Sequence, residues 1–166
     1  MKYSKFFIVF LALTLPAFGQ ESGSGNREER PGIGFFAAPL AELNLYSLES
    51  AAFGYGGIFG IGYELEAGLK TTFSQSDDLY TLELALFIRY YILHKTGLSG
   101  PFIQLEAGAS VFDIEGFRLP TDSGNFYAGL SGGWRFLFGN HLFLDSTIRF
   151  GYPVIAGLGV SFGVKL

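Results

Sequence analysis

From Tyr80 to Ile92 the chain alternates without a break: Tyr80, Leu82, Leu84, Leu86, Ile88, Tyr90 and Ile92 fall on one face, and Thr81, Glu83, Ala85, Phe87, Arg89 and Tyr91 on the other. A period of two is the signature of a strand whose faces meet different surroundings. The pattern recurs over 101–113, 126–138, 142–152 and 157–166, each with large apolar residues alternating with glycine, serine, threonine, aromatics and isolated charges. Upstream, 32–41 reads as a first strand with Pro39 near its end. Residues 52–63 and 67–73 read as two strands joined by a turn near 64–66. The phase runs unbroken through that turn, so one long strand is the alternative. The preferred count is eight.

The connections alternate in character. HKTGLSG (94–100) and GNH (139–141) are short, whereas 42–50 and EGFRLPTDSGN (115–125) are long. Short turns on one rim and longer loops on the other predict an all-β, up-and-down antiparallel transmembrane barrel. A soluble sandwich would carry Lys, Glu and Asp along its polar faces, and these strands do not. A lipocalin-like soluble barrel, with reversed polarity, is the weaker alternative. In hydrocarbon every backbone N–H and C=O must be satisfied within the protein, so strands cross a membrane only as a closed ring. The leucine face then points to lipid. The Thr/Glu/Arg face points into a lumen which, at eight strands, side chains just fill.

Charges inside such a lumen need partners. Counting outward from the connections pairs Arg89 with Glu106, Arg135 with Asp145, and Lys70 with Glu83, with Arg149 and Lys165 able to join. A one-residue slip would put each charge in lipid at about 2–4 kcal/mol per mid-depth Arg or Lys, so the pattern fixes register. Aromatics gather near strand ends as interfacial belts: Phe73, Tyr80, Phe126, Phe150 and Tyr152 on the loop side, Tyr63, Tyr90, Phe136 and Phe138 on the turn side. Trp134 sits nearer mid-strand and is left unassigned between the two belts.

The first residues change the picture of destination. MKYSKFFIVFLALTLPAFGQ has a positive start at Lys2 and Lys5, a short apolar core ending at Pro16, and small residues at Ala17 and Gly19 before Gln20. This is the layout of a secretory signal cut between Gly19 and Gln20, its core well short of the ~20 residues of a spanning helix. The expected organisation is a signal over 1–19, a flexible polar segment over 20–31, and the barrel over 32–166. The absence of cysteine rules out disulfides, thiolate metal sites and a cysteine nucleophile.

The signal, about eight alternating strands and the tail GLGVSFGVKL resemble the small bacterial outer-membrane barrels of the OmpX, OmpA-domain and OmpW type. In that family the last strand carries a signal read by the barrel-assembly machinery, with alternate apolar residues and usually a terminal aromatic. Leu158, Val160, Phe162, Val164 and Leu166 match the alternation, and the final leucine departs from it. The resemblance implies a protein exported to the outer membrane, with outer-membrane lipid and the assembly machinery as partners.

Chemistry adds little. The loop stretches hold Glu42, Glu49, Asp77, Asp78, Asp113, Glu115 and Asp122 against Arg118, in a chain of formal charge −4. An acidic rim argues against nucleic acid and leaves an extracellular ligand or host molecule as a loop partner. His94 and His141 fall in turns, apart from any serine–carboxylate pair. GIFGIG (57–62) lacks the lysine and helix of a phosphate loop. No catalytic, cofactor or metal residues are assigned. The expected function is a non-enzymatic outer-membrane barrel in a structural or surface-interaction role. The alternative, suggested by Phe87, Tyr91, Tyr127 and Phe143 on the inner face, is a narrow OmpW-like channel for small apolar molecules.

Overall fold

The structure, a computed structural model, describes residues 33–46, 50–76, 79–92, 99–114 and 125–166. Eight strands follow one another: β1 (Gly34–Leu45), β2 (Ala51–Gly62), β3 (Leu65–Gln75), β4 (Leu79–Tyr91), β5 (Gly100–Ile114), β6 (Asn125–Phe138), β7 (Leu142–Tyr152) and β8 (Ala156–Lys165). Each pairs antiparallel with the next, and β8 returns to β1, closing the barrel. Closure removes the edge that an open sheet would leave unpaired. Among the described residues no helix is long and apolar enough to cross a membrane; any crossing is made by strands.

The alternation sorts side chains as the pattern predicts. Leu82, Leu84, Leu86 and Ile88 are half or more exposed on the outer wall, whereas Glu83, Ala85, Phe87 and Arg89 are buried in the lumen. The same division runs through the other strands, with Phe59, Leu105, Leu130 and Ile148 outside and Glu66, Tyr127, Arg135 and Asp145 inside. An apolar outside around a charged inside is the inverse of a water-soluble protein. It is stable only with hydrocarbon as the outer solvent.

Glycine makes the narrow cylinder possible at specific points. A Cβ at Gly108 would lie 2.0 Å from the Leu84 carbonyl oxygen, and one at Gly68 2.0 Å from that of Phe59. At Gly62, φ is +152° where the chain turns through two residues into β3.

Several expected boundaries are corrected. β1 runs on to Leu45, carrying Pro39 in its middle, so Glu42 lies in the lumen at 4% exposure and not in a loop. The turn after β2 is confined to Tyr63 and Glu64, which places Glu66 inside at 1% exposure. The junction makes two strands and not one. Asp113 belongs to β5. Trp134 stands on the outer wall beside Phe136, ring centroids 6.3 Å apart. Tyr55 joins Phe73 and Tyr80 in the loop-side belt. The signal with its Gly19–Gln20 cut, the polar segment and His94 lie outside the described residues, as do Glu49, Asp77, Asp78, Glu115, Arg118 and Asp122.

Candidate functional site

The lumen is filled by two linked groups of charges. On the turn side, Arg135 clasps Asp145 with two parallel bonds, Nε to Oδ1 at 2.7 Å and Nη2 to Oδ2 at 2.8 Å. Its Nη1 reaches Glu66 Oε1 at 2.8 Å. Arg89 meets the same two carboxylates, Asp145 at 2.7 Å and Glu66 at 3.5 Å, and Tyr91 donates to Glu66 at 3.0 Å. The guanidiniums also lie over rings: Arg135 is 4.0 Å from the Phe143 centroid and Arg89 4.1 Å from that of Phe102. Two cations against two carboxylates leave this group neutral, and the forked geometry is the strong form of the interaction.

On the loop side, Lys70 lies 2.6 Å from Glu42 and 3.3 Å from Glu106. Arg149 meets Glu83 at 3.0 Å, Glu42 at 3.4 Å and Glu106 at 3.8 Å, and donates to Asn44 at 3.0 Å. Tyr127 and Ser131 donate to Glu106, and Tyr46, just past the end of β1, donates to Glu83. Gln104 joins the groups, accepting from Arg89 Nε at 2.7 Å and donating to Glu106 at 2.7 Å. A lone charge here would cost several kcal/mol of lost solvation. Instead each buried cation faces at least two carboxylates from different strands.

Of the three expected pairs, Arg135 and Asp145 stand directly opposite in register. The other two are corrected. Arg89 is opposite Gln104, not Glu106, and Glu83 is opposite Thr72, not Lys70. Each register differs by two residues from the expected pairing. Two residues preserve the face, so every charge stays inside while its partner changes. Lys165 enters no ion pair with the lumen groups above. Its ammonium lies 5.5 Å from the Tyr63 ring at the turn-side rim. Glu42 and Glu66 are the members that the sequence reading assigned to connections. Their signal was phase: Glu42 continues Phe36, Ala38 and Leu40, and Glu66 leads into Gly68 and Lys70.

Little space remains. A void of about 10 Å³ sits among Leu40, Glu42, Lys70, Glu106 and Ser161, the size of a single water. A larger hollow, about 410 Å³, is lined by Phe53, Tyr55, Gln75, Ser76 and Tyr80. It opens on the outer wall, where Phe53 and Tyr55 are exposed. Phe87, Tyr91, Tyr127 and Phe143, the inner aromatics, are each at most 2% exposed. No group of carboxylates and histidines suited to a metal ion occurs among the described residues. His141 sits with its Nδ1 3.1 Å from the Lys165 carbonyl oxygen.

Comparison with known proteins supports the same architecture. A family model described as "Protein of unknown function (DUF3575)" matches residues 46–157. No curated protein matches the sequence. The N-terminal β-barrel domain of OprF from Pseudomonas aeruginosa superposes with a TM-score of 0.56 at 14% identity, over 81% of this chain and 97% of that one. A de novo designed transmembrane β-barrel gives 0.51 at 14% identity, over 84% and 100%. Ail from Yersinia pestis gives 0.47 at 8% identity, over 81% and 97%, too distant to weigh. At such identities the likeness concerns the fold alone: a closed, eight-stranded transmembrane barrel.

Proposed function

Since the chain belongs to the family described as "Protein of unknown function (DUF3575)", whose description carries no activity, we propose from the chemistry of the lumen that it is a non-conducting, non-enzymatic integral barrel of the bacterial outer membrane. Its role is structural, or lies in surface interaction through its loops. The observation that carries this reading is the filled lumen: nine interlocked charges beside a void of about 10 Å³. The pore of a channel must instead offer a continuous path with sites weak enough to leave. The alternative of a narrow OmpW-like conduit has less support, because the aromatics that suggested it, Phe87, Tyr91, Tyr127 and Phe143, pack against arginines.

The reading includes export through a cleaved signal and recognition of β8 by the barrel-assembly machinery. It also includes an outer wall solvated by outer-membrane lipid and an extracellular ligand or host molecule met through acidic loops. Planar-bilayer recording of the purified, refolded chain tests its core. The expected trace shows no steady current above that of the bare membrane. Sustained single-channel steps carried by small ions would overturn the non-conducting reading.

A further inference from the structure

Seven of the eight strand pairings run without interruption, and the one that closes the barrel does not. β1 pairs with β8 at Phe36 and Ala37 and again from Leu40 to Leu45, leaving a gap at Ala38 and Pro39. The amide of Leu166 donates to Phe35 O, and that of Ile155 to Leu45 O, so the odd residues of β1 point their backbone groups at β8. Continuing the register sets Pro39 opposite Phe162. Proline has no N–H, so the Phe162 carbonyl receives no donor from β1. Pro39 is the sixth of twelve residues in its strand, near the middle of the membrane, where no water can substitute.

A second observation is independent of the first. Above Pro39, β1 is clamped: Glu42 to Lys70 and Arg149, and Asn44 to Ser74 and Arg149. Below it, the inner side chains are Phe36 and Ala38, which pack on Ile58, Phe87 and Phe143. None of the lumen ion pairs described above ends on β8. Parting β1 from β8 in this half would break none of those pairs: it would expose Phe36 and Ala38, with Lys165 of β8, itself outside the pairs, opposite Phe36. Parting β3 from β4 would expose Glu66, Lys70, Glu83 and Arg89.

We propose that the barrel has one lateral opening, the turn-side half of the β1–β8 seam, hinged at Pro39 and leading from the bilayer core to the apolar patch formed by Phe36, Ala38 and Ile58. The seam parts locally while the clamped loop-side half stays shut.

Hydrogen exchange, followed by mass spectrometry on the folded full chain in detergent micelles, tests this. Amides in 34–38 and 160–165 should exchange about tenfold faster than those in 82–88 and 105–109, the scale of one missing hydrogen bond. Pro39→Ala restores the donor and should slow the seam by a similar factor. Ordinary fraying of a terminal strand would be unchanged by that substitution. As a second arm, Ala37→Cys/Val164→Cys joins facing residues in a chain without native cysteine. Oxidation of that pair should bring the seam to the protection of β4–β5 with Pro39 still in place. Equal protection of the two seams in the unaltered chain would overturn the proposal. So would exchange rates that neither Pro39→Ala nor the disulfide changes.

Discussion

Removing the Asp145 carboxylate is the sharpest probe of the lumen. Asp145 receives two bonds from Arg135 and one from Arg89, all between 2.7 and 2.8 Å, and is 0% exposed. Asp145→Ala leaves two guanidiniums sharing Glu66, a net buried charge of one. If water reached these groups, the loss would be that of an exposed pair, about 0–1 kcal/mol. With the lumen closed, stranding a buried charge should cost about 3–5 kcal/mol. The deleted carboxylate is small, so cavity formation adds little. The measurement is reversible urea unfolding in lipid vesicles, read from the fluorescence of Trp134, the chain's single tryptophan. The free-energy change is taken at constant slope. Asp145→Leu combined with Arg135→Met removes charge from both sides and should cost well over about 1 kcal/mol less than the sum of Asp145→Leu and Arg135→Met measured singly. A loss below 1 kcal/mol for Asp145→Ala would mean that the lumen is wet and would refute the reasoning.

Three further outcomes follow from the same structure. Leu84→Arg places a cation at mid-depth on the outer wall, where Leu84 is 50% exposed, and should cost about 2–4 kcal/mol in vesicles but far less in a thin-bilayer lipid. Gly108→Ala should prevent the heat-modifiable folded band from forming on gels, since its Cβ would overlap the Leu84 carbonyl. Gly132→Ala, with nothing within 4 Å, should fold as the parent does. Burial, reinforced by Glu83, pushes the Tyr46 hydroxyl up to about 12 from an ordinary 10. The folded chain thus holds this proton more tightly than the unfolded one. The resulting stability is complete below pH 10 and fades as the pH rises towards 12. Tyr46→Phe should flatten that alkaline decline in unfolding midpoints.

The faces of this barrel were legible in the sequence because lipid on one side and a packed lumen on the other give every strand residue two distinct environments. Leu84 outside and Glu83 inside require nothing more than parity. Register is different, because it depends on how far each strand climbs before it turns, and a shift of two leaves parity untouched. Arg135 and Asp145 flank a short turn, 139–141, and were placed opposite one another. Arg89 and Lys70 flank connections at 94–100 and 74–78, where the expected pairings were wrong by two. Glu42 was lost for another reason: Pro39 reads as a strand terminator. Here its missing N–H falls on the seam with β8, which lets β1 continue to Leu45 and carry a carboxylate into the lumen.

Moving Glu42 and Glu66 inward also explains why the cross-section is stiff in most directions. With them, the lumen holds Glu42, Glu66, Glu83, Glu106 and Asp145 against Lys70, Arg89, Arg135 and Arg149. The contacts run from β1 to β3 and β7, from β3 to β4, β5 and β6, and from β7 to β1, β4, β5 and β6. Displacing any one of these strands strands a charge in low dielectric, which costs more than the backbone bonds it would break. β2 and β8 carry no member of these pairs. β2 is nonetheless paired without a break to both neighbours, to β1 over twelve residues and to β3 from Phe53 to Gly62. β8 is joined to β1 by an interrupted ladder. Stiffness imposed by charge and compliance admitted by one proline therefore coincide on a single seam.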